Sequence, residues 1–256
     1  MELNAETRSV SDILSLNKKY IVPRFQREYS WDDEEIGDFW DDISQQVRIS
    51  NGNVTHEEYF IGCIVLIGDD TKVEFLIVDG QQRLITLTLF LRAIVELLDR
   101  SGDTNASDAL YTNVIEGRDN DGNCYFKLNS ESPKPFLQNE LQAKNPEKIS
   151  KATTEEEKLL QNAYDFFIQK LTDYQLTGKA RADSLKALRD QVLNFVKFIR
   201  VTAKDEDDAY TIFETLNARG LSLSSVDLIK NWIFKNYDNT HPNDNAKQIW
   251  NQIRTL

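Results

Sequence analysis

The stretch whose reading decides the fold is Val73-Glu74-Phe75-Leu76-Ile77-Val78-Asp79-Gly80-Gln81-Gln82-Arg83-Leu84. Its first six residues, Glu74 apart, are apolar, β-branched or aromatic and read as a strand. The strand ends at Asp79-Gly80. From there to Leu98, the apolar positions Leu84, Leu87, Phe90, Leu91, Ile94 and Leu98 surround much of a helical circumference, which predicts a core helix rather than a surface one. A glycine between a buried strand and such a helix lets a ligand approach the freed N–H groups of the first turn, at the positive end of the helix dipole and beside Arg83. That is an anion site, and phosphate is the usual anion. A purely structural account also exists, in which Asp79 caps the helix, Gln81 and Gln82 are solvated and Arg83 is a surface charge. The stretch is not a Walker A loop, because GxxxxGK[ST] is absent, and Gly80 does not begin a GxGxxG.

Working upstream, the nearly all-apolar run over residues 59–67 predicts a central strand buried on both faces, and Gly68-Asp69-Asp70 makes an antiparallel hairpin the simplest link to the next strand. Asp32 and Glu35 suit a capping box for a helix with Ile36, Phe39, Trp40, Ile43 and Val47 on one face. Residues 1–30 read as a short helix carrying Val10, Ile13, Leu14 and Leu16, then an extended Tyr20-Ile21-Val22, then an ordered loop after Pro23. In that loop Phe25, Tyr29 and Trp31 are interleaved with Gln26, Arg27 and Ser30, which suits an aromatic wall with amide and guanidinium donors for a base and its phosphates. The alternative staples the aromatics to the core and pairs Arg27 with an acid.

Downstream, residues 100–157 turn polar around a short strand candidate at 124–128, and the domain boundary is placed there. The expected division is an α+β core over 1–105 and a mainly helical subdomain over 106–256. Its helices are predicted at 155–176, 184–195, 206–217 and 224–237, with one more strand over 197–202. Ala209, Ile212, Phe213 and Leu216 form a helical stripe, Gly220 suits the turn, and Ser224 with Asp227 caps the next helix. Asn217 and Arg219 are left unexplained by that architecture, and an Arg in a tight interhelical loop can reach a phosphate. The last residues, 246–254, read as a helix without a C-cap glycine, which suggests a fragment of a longer protein.

Composition narrows the function. In 256 residues, 30 Lys+Arg stand against 42 Asp+Glu, a net charge of −12, and 40% of residues are hydrophobic. That is ample for a folded core, while the acidic balance (pI near 4.7) argues against a chain gripping nucleic acid over its whole surface. Two cysteines, Cys63 and Cys124, make no disulfide framework and point to a reducing, cytoplasmic setting. No stretch has the length of a membrane span, and the amino terminus has no signal-peptide pattern, so no membrane partner is expected. His56 and His241 are the only histidines, and neither has a partner at metal-ligand spacing, so both read as solvated loop residues and no HNH nuclease is expected within the chain. Glu156-Glu157 reads as a solvated helix start.

Taken together, four ordered motifs carry a resemblance. They are Arg24-Phe25-Gln26-Arg27-Glu28-Tyr29-Ser30-Trp31, Tyr59-Phe60-Ile61-Gly62, Val78-Asp79-Gly80-Gln81-Gln82-Arg83-Leu84, and Phe213-Glu214-Thr215-Leu216-Asn217-Ala218-Arg219-Gly220 with Leu223-Ser224 and Asp227-Leu228-Ile229-Lys230. In that order, over roughly residues 10–235, they resemble the N-terminal domain of GmrSD-type (type IV, modification-dependent) restriction enzymes. The resemblance implies a small ParB/sulfiredoxin-like mixed-sheet core with helices, followed by the helical subdomain. It also implies nucleoside triphosphate binding and hydrolysis at the DGQQR motif, regulating DNA cleavage by a C-terminal HNH-type nuclease. Carried over, Asp79 acts in hydrolysis or holds Mg²⁺, and Gly80, Gln81, Gln82 and Arg83 form the phosphate cradle. Gln26 and Arg27 line the pocket, and Asn217 and Arg219 help to close it. Catalysis would fall to Asp79, Gln82 and Arg83, with either Asp79 or Gln82 orienting water. Ile85 departs from the Thr more usual in the family, which a buried helix tolerates. The nuclease domain is absent from the sequence, so DNA would be engaged through that domain or a partner subunit, with a homodimer as a further expected partner arrangement. The competing readings are a ParB-like DNA nickase with a basic channel beside Asp79, a non-catalytic DNA- or protein-binding module, and a scaffold whose motifs are structural.

Overall fold

The computed structural model describes residues 4–24, 26–131, 135–145, 150–205, 208, 209 and 211. Its strands are β1 (Asn4–Ser9), β2 (Lys19–Val22), β3 (Val47–Ser50), β4 (Asn53–His56), β5 (Tyr59–Ile67), β6 (Glu74–Asp79), β7 (Glu116–Arg118), β8 (Cys124–Phe126), β9 (Leu128–Ser130) and β10 (Val196–Ala203). The helices are α1 (Val10–Leu14), α2 (Asp33–Ser44), α3 (Gln81–Arg100), α4 (Thr104–Val114), α5 (Glu155–Asp173) and α6 (Arg181–Asp190), with π-helical turns at Leu137–Gln142 and Gln191–Phe195. One mixed sheet runs β1-β10-β5-β6-β2-β9, and β3-β4 and β7-β8 form separate two-stranded ribbons. The class is α+β, as the sequence predicts.

Alternation on the central strands sorts their apolar side chains onto two faces. Ile64, Leu66, Phe75, Ile77, Val196 and Phe198 enter the main core. Val65, Val78, Val201 and Ala203 form a second, smaller cluster with Ala209. β5 is thus buried on both sides at its centre, with Ile64, Val65 and Leu66 all at 0% exposure. On the main face α3 is buried around most of its circumference and packs against α4, α5, α6 and the 137–142 π turn. Phe90 of α3 meets Phe39 and Phe167 edge-on, with centroids 5.7 and 5.3 Å away, which ties α2 and α5 to it. Ile85 is buried here within α3.

Several expectations hold and several change. The Asp32/Glu35 capping box is present, and β5 and β6 pair antiparallel. Val47, expected on α2, lies in β3, because the helix stops at Ser44 and Gln45 is its C-cap. The amino-terminal helix is shorter than predicted: α1 ends at Leu14, Leu16 is 43% exposed, and the preceding residues form the unpredicted β1, paired antiparallel with β10. The division at 105/106 does not separate two cores among the described residues. β9 and β10, both beyond it, complete the same sheet, and α5 and α6 bury their apolar faces in the same cluster as α2 and α3. His56 is not a solvated loop residue: it lies on β4, its Nδ1 is 3.1 Å from Gln191 Oε1, and its ring stacks on Phe195 at 4.7 Å. Phe25, Asn217, Arg219, His241 and the helices expected at 224–237 and 246–254 lie outside the described residues, as does most of the one expected at 206–217.

Candidate functional site at the β6–α3 junction

Two irregularities in neighbouring strands shape the junction. Asp79 pairs with Val65 while Ile77 pairs with Leu66, so Val78 is an extra residue on β6. On β5, Phe60 pairs with Lys197 and Gly62 with Phe198, so Ile61 is extra there. Bulges bend a strand and re-aim its side chains, and both of these border Gly80 and Arg83. Gly80 takes φ +89°, and a Cβ there would lie 2.6 Å from Ile64 Cγ2 and 3.0 Å from Cys63 O. Only glycine allows β6 to turn into α3 this close to β5.

Asp79 does not cap α3. The N-cap is Gly80, with no side-chain hydrogen bond, and the first intrahelical bond is Leu84 N–H to Gly80 O at 3.1 Å. The N–H groups of Gln81, Gln82 and Arg83 therefore remain open at the start of a 20-residue helix. Arg83 lies against β5, where its Nη1 donates to Cys63 O at 3.3 Å. Its guanidinium occupies the space a side chain at residue 62 would need: a Cβ on Gly62, whose φ is +122°, would be 3.1 Å from Arg83 Nε. Tyr59 lies within the field of Arg83 and donates its O–H to Asp42 on α2. Burial, then that bond to Asp42, pushes the Tyr59 phenol up to about 12, against the opposing pull of Arg83. Gly62, Tyr59 and Asp42 were not singled out as site residues. Tyr59 and Gly62 belong to a motif that carries the resemblance, and a lone glycine within an apolar strand signals close approach, whereas nothing local marks Asp42.

The glutamines do something other than line an open cradle. Both are buried, at 5% and 6% exposure, which excludes the solvated alternative. Gln81 Nε2 donates to Arg27 O at 2.7 Å, and Gln82 Nε2 donates to Glu28 O at 3.1 Å. Ser30 N–H donates to Gln82 Oε1 at 3.0 Å, and Gln26 Nε2 donates to the carbonyl of the bulged Val78 at 2.9 Å. The loop predicted to share the site thus lies across the start of α3, held by three glutamine side chains. Its aromatic wall is only partly realised: Tyr29 is buried with its hydroxyl 2.9 Å from Thr86 Oγ1, and Trp31 packs on the core. Burial pushes the Tyr29 phenol well above its ordinary value, so it stays protonated. Glu156, expected to be solvated, accepts Tyr29 N–H at 3.2 Å and links the loop to α5.

Arg27 is exposed and its guanidinium has no partner among the described residues. The Asp79 carboxylate, partly exposed, likewise has no side-chain partner among them. No group of three or more His, Cys, Asp or Glu among the described residues could hold a metal ion. The open amides beside Arg83 offer hydrogen-bond donors and positive charge to an anion, Asp79 precedes them in the chain, and Arg27 joins the junction through its main-chain carbonyl.

The junction is thus a glycine turn from a bulged strand of the mixed sheet into an uncapped core helix of an α+β domain. Residues 10–234 match the family profile described as the GmrSD restriction endonuclease, N-terminal domain. The chain belongs to that family, which makes it part of a restriction system. No curated protein matches it. No helix among the described residues is long and apolar enough to cross a membrane.

Proposed function

We propose that this domain binds a nucleoside triphosphate at the β6–α3 junction and hydrolyses it, and that the nucleotide state regulates DNA cleavage by an HNH-type nuclease in a separate domain or partner subunit. The observation that carries this reading is the uncapped start of α3, where three N–H groups stand beside Arg83 at a turn only glycine can make. Arg83 and Arg27 would neutralise charge on the phosphates, as hydrolysis of a phosphoanhydride requires. Of the two residues first considered for water, Gln82 has both ends of its amide engaged, which leaves Asp79. Its carboxylate would orient a water and accept its proton as the water oxygen bonds to the terminal phosphorus and the bridging oxygen departs with the diphosphate. Mg²⁺ characteristically takes one or two carboxylates plus substrate phosphates, and Asp79 fits that pattern. When bound, it would supply further charge neutralisation. Asn217 and Arg219 stay in the proposal as residues that close the pocket.

The test titrates ATP and GTP with Mg²⁺ against the wild-type chain and the Arg83→Ala and Asp79→Asn variants, with phosphate release followed in parallel. Arg83→Ala weakens binding by about tenfold or more, as loss of a charge-assisted contact would. Asp79→Asn keeps binding and loses turnover. A wild-type chain that binds neither nucleotide, or binding indifferent to Arg83, overturns the reading.

A further inference from the structure

The 26–30 strap is anchored at Tyr29, whose N–H meets Glu156 and whose hydroxyl lies against Thr86. Arg27, Glu28 and Ser30 are exposed, and only Tyr29 reaches the core. On either side of Tyr29 its main-chain groups meet glutamine amides. Gln82 uses both ends of its amide, taking Ser30 N–H and giving to Glu28 O, two groups on residues that face the same side of an extended segment. It therefore pairs with the strap as a neighbouring strand would. Gln81 fixes the carbonyl of Arg27 itself, and Gln26 reaches back to Val78. Because every partner is a backbone atom, these bonds fix where the strap runs and leave the Arg27 side chain free to act. With both amides buried beneath the strap, neither glutamine presents a face to a ligand while these bonds stand.

The geometry points to Gln81 and Gln82 as positioning residues that act on the phosphate site through Arg27, by holding the strap, rather than as contacts to the nucleotide. This rests on the reading of the β6–α3 junction as a triphosphate site. Truncating either glutamine frees the strap and weakens binding only by misplacing Arg27, so the loss disappears once Arg27 is gone.

Two measurements on the full chain test it. Without nucleotide, amide hydrogen exchange at Ser30 reports on the strap. It quickens by about tenfold or more in Gln82→Met, and stays near wild type in Gln82→Glu, which keeps an acceptor for that N–H. With non-hydrolysable ATP and GTP analogues, Gln82→Met and Arg27→Ala each weaken binding by about tenfold, and the double variant binds no more weakly than Arg27→Ala alone. Losses that multiply in the double variant would show that Gln82 touches the ligand itself, and unchanged Ser30 exchange would show that it does not hold the strap. Either result overturns the proposal. Failure of the wild-type chain to bind either analogue overturns the triphosphate reading as a separate result, and Ser30 exchange then decides the strap.

Discussion

Replacing Gly62 by alanine separates two costs that the β5–β6 irregularities combine. At φ +122° any L side chain is strained, and the added Cβ would stand 3.1 Å from Arg83 Nε and 3.2 Å from its Cζ. The backbone share is about 1–3 kcal/mol. Displacing the guanidinium also puts its bond to Cys63 O at risk, and a hydrogen bond from a charged donor contributes about 1.5–3 kcal/mol at most. Gly102→Ala is the control, because Gly102 also has positive φ (+85°) but has nothing within 4 Å of the added atom. We expect thermal unfolding to fall by roughly 2–4 °C per kcal/mol lost, and to fall further for Gly62→Ala than for Gly102→Ala. In an Arg83→Ala background the excess shrinks to the difference in backbone strain between φ +122° and φ +85°, because the crowded group is gone. Triphosphate binding weakens in Gly62→Ala and is untouched in Gly102→Ala. Equal melting losses in the two variants, or an excess undiminished without Arg83, would refute the claim that Gly62 exists to seat Arg83.

Gly80→Ala is expected to cost more than Gly102→Ala, because its Cβ would collide with Ile64 Cγ2 and Cys63 O and so part β6 from β5; comparative denaturant unfolding measures the difference. Lys127 supplies a pH dependence. It is 1% exposed, gives Nζ–H bonds to Leu14 O (2.7 Å) and Asn113 O (2.6 Å), and burial pushes its ammonium down to about 8. Between there and the unfolded value near 10.4 the unfolded chain keeps a proton that the folded chain has released, so this group's contribution to stability rises with pH across that window. The penalty is fully present below about 8. Melting temperatures of wild type minus Lys127→Met, taken from about pH 7.5 to 10, should climb; a flat difference contradicts the assignment. The subtraction matters because buried Tyr20, Tyr29 and Tyr164, all pushed upward by burial, pull the other way near their unfolded pKa.

Local signals made the centre of the fold legible and non-local ones hid its rim. The all-round apolar character of residues 84–98 and the Asp32/Glu35 pair are read from neighbours in sequence, and α3 and the start of α2 appear as predicted. β1 was invisible because Asn-Ala-Glu-Thr-Arg-Ser has no apolar alternation; it is a strand through its bonds to β10, distant in sequence. The polar run after residue 100 looked like a boundary because its strands are three residues each, and Leu128 is the residue of β9 that enters the core. At the site, the glycine and arginine were legible from their place between strand and helix. The partners of Gln81 and Gln82 were not, because both reach backbone atoms, which any sequence in the loop would supply.

β10 lies between β1 and β5 and runs parallel to β5, yet it is made after every other described strand of the sheet. A chain emerging from the ribosome therefore carries its first strand, and one open edge of β5, with no partner until residue 203 is out. Strand edges left open in this way recruit other chains, and pairing across so long a loop is intrinsically slow. The sheet thus closes late in synthesis, and a chain halted near residue 105 would present to its neighbours the edge that β10 covers in the finished domain.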